Sequence, residues 1–279
     1  MHKNYSTDGF ALIEAMVVLA VLAILTGMLM PVVSRAKADR TSVGCQDNGR
    51  QLMLAMHLYA ADFNELLPPN EDNNNQFNGW VAGDMTVANQ ATNTVFLTDP
   101  RYAKLARYTA PDPTLYRCPA DTSTVQIAGQ ELSRVRSVSM NQAVGTVRDG
   151  KSPVDGPWLN EGTYANNSKG GPYRTYGKLS SMVHPSPDKL WVFTDEDSQG
   201  INDGAFAFTM HANPVGAEWI DWPATYHGIG CGLAFADGHA EIHHWVDART
   251  PVKNGDVNRS TQPSNPDIRW MMERTSTKR

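Results

Sequence analysis

Cysteine is scarce in this chain. Cys45, Cys118 and Cys231 are the only three in 279 residues, too few for a fold built on disulfides. None stands in a C-x-x-C pair, which argues against a zinc ribbon. One bridge plus one buried thiol suits an exported domain of this size. Basic residues are not in excess either. With a net charge of -5, the chain offers no electrostatic footprint for nucleic acid. No serine sits in G-x-S-x-G, so a hydrolase drawn from His227, Asp237 and a serine lacks a recognisable nucleophile, and no enzyme is expected. Internal repeats are absent as well.

Long apolar runs are missing everywhere except at 10–33, FALIEAMVVLAVLAILTGMLMPVV. As a helix these residues would be about 36 Å long, enough to cross a bilayer core. A cleavable signal peptide has a shorter apolar region of about 7–15 residues and ends at a small-residue site. Here Ser34 to Arg40 continue helically instead. A plain anchor accounts for the length but not for Glu14, whose carboxylate costs about 2.5–3.5 kcal/mol in a spanning segment. Such a charge needs a partner. Cleavage between Gly9 and Phe10 would create one, because the new α-amine of Phe10 is a cation that a neighbouring subunit's Glu14 can pair with. Arg35, Lys37 and Arg40 follow the run, and by charge counting alone they would hold the downstream side in the cytoplasm. The Gly-Phe processing site is given precedence over that count.

Beyond Pro31 the helical pattern runs to about Phe63. Leu52, Met56 and Tyr59 recur at i, i+4 and i+7, with Leu54, Ala55 and Leu58 widening the stripe. Asn64 and the Pro68-Pro69 pair end it. Residues 70–130 read as long loops with one short helix near 99–108. Strand-like runs follow at 134–140, 190–194, 205–210, 232–236 and 241–246, separated by Gly, Pro or Asp turns. The expectation is an α+β fold, a long N-terminal helix packed on an antiparallel sheet. Five segments are expected: a leader at 1–9, a transmembrane helix at 10–33, its amphipathic half at 34–66, a head at 67–250 and a polar tail at 251–279. The tail has one apolar foothold around Ile268, Trp270, Met271 and Met272.

Gly9-Phe10 followed by Ala11-Leu12-Ile13-Glu14 resembles the type IV prepilin signal, in which a peptidase cuts after the glycine and methylates the new terminal residue. Pro31 falls where many pilins carry a helix-kinking proline. In the head, His227 is followed by nine residues and then Asp237-Gly238. This motif, together with 115–121, 137–141, Asp195-Glu196, 201–204 and 221–224, resembles a large bacterial group of pilin-like proteins that end in H-x9-D-G. The resemblance implies a fibre subunit of a type IV pilus or a type II secretion pseudopilus, with Gly9 and Phe10 as the processing site and Glu14 and Pro31 as assembly residues. Its partners would be prepilin peptidase, sister subunits and the bacterial inner membrane, with the head periplasmic or extracellular. The alternative is a membrane-anchored binding module that never polymerises.

Three further sets are candidates for chemistry. Asp237-Gly238 reads as a hairpin turn, with His227 at the other end of the same strand and a structural hydrogen-bonding role favoured for both. His239, Glu241 and His243 alternate, so a strand would put them on one face, more simply a polar outer face than a metal trio. Asp195, Glu196, Asp197, Asn202 and Asp203 supply hard oxygen donors around a glycine loop, a candidate Ca²⁺ set weighed against a solvated acidic loop. Major pseudopilins hold calcium in a C-terminal loop, so the resemblance adds to the Ca²⁺ reading. Finally, Cys45 on the helix and Cys118 before Pro119 are expected to form a disulfide in an oxidising compartment, with Cys231 buried and free.

Overall fold

The computed structural model describes residues 12–70, 78–161, 171–251 and 260–279. Gly9 and Phe10 lie outside the described residues. The chain divides into two units between Arg40 and Thr41.

One helix, α1 (Leu12–Asp62), runs through both and passes Pro31 without interruption. Its first part belongs to the N-terminal unit and, from Ala15 to Val33, carries no charged residue. Met16, Leu19 and Met30 are 61%, 66% and 71% exposed, and mean hydropathy reaches 2.6 in its most apolar stretch. By length and composition this helix can cross a membrane. The few hydroxyls there are satisfied internally: Thr26 Oγ1 donates to the Leu22 carbonyl at 2.8 Å and Ser34 Oγ to the Met30 carbonyl at 2.9 Å. Such bonding suits a medium that offers no water.

In the second unit the same helix becomes one-sided. Cys45, Leu52, Met53, Met56, Tyr59 and Ala60 are buried, whereas Val43, Leu54 and Leu58 are exposed. The buried stripe is therefore narrower than the sequence pattern suggested, because Leu54 and Leu58 point away from the sheet. After the helix, the supposed loop region holds real structure: α2 (Ala88–Ala91), α3 (Val95–Thr98) and a hairpin of β1 (Thr124–Ile127) and β2 (Gln130–Ser133). Single-turn 3-10 segments at Lys104–Arg107 and Pro113–Tyr116 lie between α3 and β1. Two aromatics there, Trp80 and Tyr116, are core residues and almost fully buried.

The main sheet is built from β3 (Val138–Asn141), β4 (Trp191–Asp195), β5 (Ala205–Phe206), β7 (Gly230–Phe235) and β8 (Ala240–His244), in the order β5-β3-β4-β7-β8. A small pair, β6 (Glu218–Trp219) with β9 (Ser260–Thr261), stands apart. The sheet is mixed rather than antiparallel as expected. Three of its pairings are antiparallel, but β5 joins β3 in parallel, Met140 facing Ala205. The link from β4 to β5 accounts for this, since the 196–204 loop carries the chain past β3 before β5 starts.

Within the expected polar tail, the described residues 260–279 are folded. Helix α4 (Pro266–Thr275) is capped by Asn265, whose side chain accepts from the N–H groups of Asp267 and Ile268 at 2.7 and 3.2 Å. Ile268, Met271 and Met272 are buried. The Trp191 indole of β4 donates to Thr275 Oγ1 at 2.8 Å, and Asp267 accepts from the Val246 and Asp247 amides just past β8. The foothold read at 268–272 thus docks the segment to the sheet.

His243 of β8 faces this helix, stacking on Trp270 with 3.8 Å between centroids and meeting Trp245 edge-on at 4.9 Å. Burial pushes its pKa down to about 4, with Asp267 opposing the shift and Arg274 and His244 adding to it. In the unfolded chain the imidazole titrates near pH 6.5. Between pH 6.5 and about 4 the unfolded state binds the extra proton, so stability is full above that window and is lost as pH falls through it. Denaturation midpoints of the wild type should therefore decline across this range. His243→Phe, which keeps the stack and cannot titrate, should decline less steeply, and equal slopes would remove His243 as the cause.

Candidate functional site

Alternation along β4 sends neighbouring side chains to opposite faces. After the apolar run Trp191–Phe193, Asp195 points toward α1 and Glu196 points away from it. Both are buried in the head. That burial needs partners, since an unpaired interior carboxylate is expensive.

On the α1 side, Asp195 Oδ2 accepts from the Gly232 amide and from Cys45 Sγ, each at 3.0 Å. His227 Nε2 stands 3.8 Å from the same oxygen and 3.0 Å from Cys118 Sγ. Behind the ring, Nδ1 is 3.2 Å from Ser42 Oγ of α1. The Ala120 N–H donates to Cys118 Sγ at 3.4 Å, and the Cys118 N–H donates to Ser137 Oγ at 2.8 Å. The ligand-type atoms of Cys45, Cys118, Asp195 and His227 all lie within 4.8 Å of one another. A cavity of about 20 Å³ is lined by Cys45, Cys118, Asp195 and Gly232 among others. Burial pushes the Asp195 carboxyl up to about 6 and the His227 imidazole down. The Cys45 thiol is pushed far up, first by its hydrogen bond with Cys118, then by burial and by the adjacent carboxylate.

On the opposite face, Glu196 Oε2 accepts from Ser139 Oγ near the fully buried Arg136. Arg136 donates to the carbonyls of Val138, Gly83 and Asp203 at 3.0, 2.9 and 2.6 Å. Burial pulls its pKa down to about 10 against the pull of Glu196, Asp203 and Asp84. Asp197 Oδ1 and Asp203 Oδ1 accept from the Gln199 and Ala205 amides at 3.0 and 2.7 Å.

The expected calcium set of Asp195, Glu196, Asp197, Asn202 and Asp203 is therefore split across the sheet, and the Asp197 and Asp203 carboxylates accept from backbone amides of the same loop. Among the described residues, the one group of three or more His, Cys, Asp or Glu with converging ligand atoms retains only Asp195 from it. In place of the expected Cys45–Cys118 disulfide all three cysteines are free thiols, with Cys45 Sγ beside Asp195 and Cys118 Sγ beside His227. Cys231 is buried in β7. Asp237 and Gly238 form the β7–β8 turn, where Gly238 takes φ +94° and Asp237 Oδ1 accepts from the His239 amide at 3.0 Å. His239 precedes β8 and bonds Asp237, while His243 packs on Trp270, so the alternating trio shares no ligand point. Glu14 lies exposed in the first turn of α1, and Pro31 lies inside the helix.

Sequence reasoning gave the four clustered residues three unrelated roles: Cys45 and Cys118 a bridge, Asp195 a calcium ligand, His227 a strand anchor. No spacing rule joins positions 150 and 185 residues apart, as Cys45–Asp195 and Ser42–His227 are. The one available signal was a carboxylate ending an apolar strand.

Residues 35–216 match the model of a family described as "Protein of unknown function (DUF1559)". The chain belongs to that family. Cys45, Cys118 and Asp195 fall inside the matched span, and His227 lies beyond it. No curated protein and no solved structure matches the chain.

Gly232 is the tightest point beside the cluster. A Cβ there would collide with Cys45 Sγ and stand 2.9 Å from Asp195 Oδ2. Gly232→Ala is expected to lower the unfolding free energy by about 1–3 kcal/mol through overpacking. Chemical denaturation checks it, and a change within about 0.5 kcal/mol, the range of an ordinary surface substitution, would contradict the packing described here.

Proposed function

We propose that the chain is a structural subunit of a type IV pilus-like or type II secretion pseudopilus fibre, with no catalytic role. The observation that carries this reading is the division of labour along α1. Its first part carries no charged residue from Ala15 to Val33 and is exposed, while its second part buries one face in the head and leaves Leu54 and Leu58 exposed on the other. A helix of that kind needs lipid before assembly and other helices after it. Glu14 adds the reason for assembly, since a simple anchor gains nothing from a carboxylate in its first turn.

On this proposal prepilin peptidase cuts after Gly9 and methylates Phe10. The segment 10–33 then holds the subunit in the bacterial inner membrane with the head periplasmic. Polymerisation pairs Glu14 with the amine of a neighbouring Phe10. A second reading, an anchored module that binds a ligand and stays monomeric, draws support from an open groove of about 470 Å³ beside Gly44, Arg117 and Asp121. That reading leaves Glu14 without a purpose.

Mass spectrometry of the membrane-extracted protein should find a mature chain that begins at N-methylated Phe10. An intact Met1, or cleavage near Ala36, would end the prepilin reading. Glu14→Ala should insert into the membrane at least as well as the wild type yet fail to assemble, as read by shearing and cross-linking. Fibres at normal yield would discard the role given to Glu14.

A further inference from the structure

The geometry points to a structural zinc site formed by Cys45, Cys118, Asp195 and His227, which fastens α1 to the sheet. Two sulfurs, one imidazole nitrogen and one carboxylate oxygen form the donor set of a closed tetrahedral zinc centre. With metal–ligand bonds of about 2.0–2.3 Å, neighbouring ligand atoms in such a centre lie about 3.3–3.8 Å apart. The observed edges of 3.0, 3.0 and 3.8 Å, within a 4.8 Å limit for all pairs, are close to that shape. The two short edges need open by only about 0.5 Å. A cavity of about 20 Å³ borders Cys45, Cys118 and Asp195, and about 10–15 Å³ accommodates one water-sized particle.

The surroundings supply what a metal centre needs outside its ligands. The Gly232 N–H holds Asp195 Oδ2, and the Ala120 N–H holds Cys118 Sγ. Ser42 Oγ stands at His227 Nδ1. With Nδ1 protonated and donating to Ser42, Nε2 turns its lone pair toward the sulfur and carboxylate side. Thiolates favour zinc over calcium or magnesium, which take oxygen shells. Binding exchanges two thiol protons for one Zn²⁺, with Asp195 ionised and His227 neutral. The protons pass to solvent, and no electrons move. The ligands come from α1, the turn at Cys118, the end of β4 and the approach to β7, so one ion closes three long loops at once. Whether or not the chain polymerises, the site stands.

The test uses the full-length chain without a histidine tag, extracted in detergent with neither chelator nor reductant. Elemental analysis should find one zinc per chain, and Co²⁺ exchanged into the site should show tetrahedral d–d bands with thiolate charge transfer. Cys231→Ala, outside the cluster, should leave the stoichiometry unchanged. Ser42→Ala should weaken zinc binding about 10–100-fold in competition with a chromophoric chelator, as loss of an outer-shell partner does. Asp195→Asn, which removes a ligand, should weaken it further. A Cys45–Cys118 disulfide in the extracted protein, no bound metal, or another metal in zinc's place would overturn the assignment. So would cobalt spectra without thiolate charge transfer, a reading that needs only the wild-type chain and holds even if a variant misfolds.

Discussion

Close approach between the inner face of α1 and the main sheet is the contact on which the head depends. Gly49 allows it from the helix side, where a Cβ would stand 3.1 Å from that of Ala234 and 3.4 Å from that of Ala240. Gly232 allows it from the sheet side, beside Cys45 and Asp195. Small residues at these positions let backbones come near enough for Leu52, Met53 and Met56 to fill the interior. Polar ties then fix the register: His57 Nε2 reaches the Ala236 carbonyl at 3.1 Å, and Asn48 Nδ2 reaches the Arg117 carbonyl at 3.0 Å.

That contact also explains why polar groups lie so deep. Once the helix covers the end of β4, Asp195 loses solvent on that face, while Glu196 is buried on the opposite face beside Ser139 and Arg136. Each is then held by a separate set of partners, thiols and imidazole for the first, Ser139 and Arg136 for the second. Buried polar clusters of this kind are weak sources of stability but demand one arrangement of their neighbours. The segments at 118–121, 137–141, 195–196 and 221–227 meet around Asp195. Cys118 bonds Ser137, the Asp197 amide bonds the Trp222 carbonyl at 2.8 Å, and the Ala224 amide bonds the Asp195 carbonyl at 3.1 Å. Residues scattered over a hundred positions are thus parts of one interior.

Within the second unit, the join between α1 and the sheet fixes how the helix lies on the head. Apolar packing resists separation without direction, whereas side chains shared between α1 and the sheet fix angle and register. Cys45 and Ser42 are the helix residues that reach the polar cluster. Helix α4 in turn holds β4 through Thr275 and the segment just past β8 through Asp267. Helices from both ends of the chain therefore brace the same strands.

Features that depend on short-range pattern are legible in the residues alone. The long apolar helix, the one-sided face of its second half, the turn at Asp237-Gly238 and most of the strands were legible, because apolar period and turn chemistry act over a few residues. The α+β class followed from them. What depends on distant partners was decided only by the tertiary structure. The parallel edge of the sheet, the docking of α4 and the structure within 78–133 rest on contacts that local composition does not encode. Pro, Asn and Asp around Trp80 and Tyr116 read as loop while those rings are core. The roles of Cys45, Cys118, Asp195 and His227 changed together for the same reason. A side chain's chemistry follows from the atoms within about 4 Å of it, and those atoms came from elements far apart in the chain.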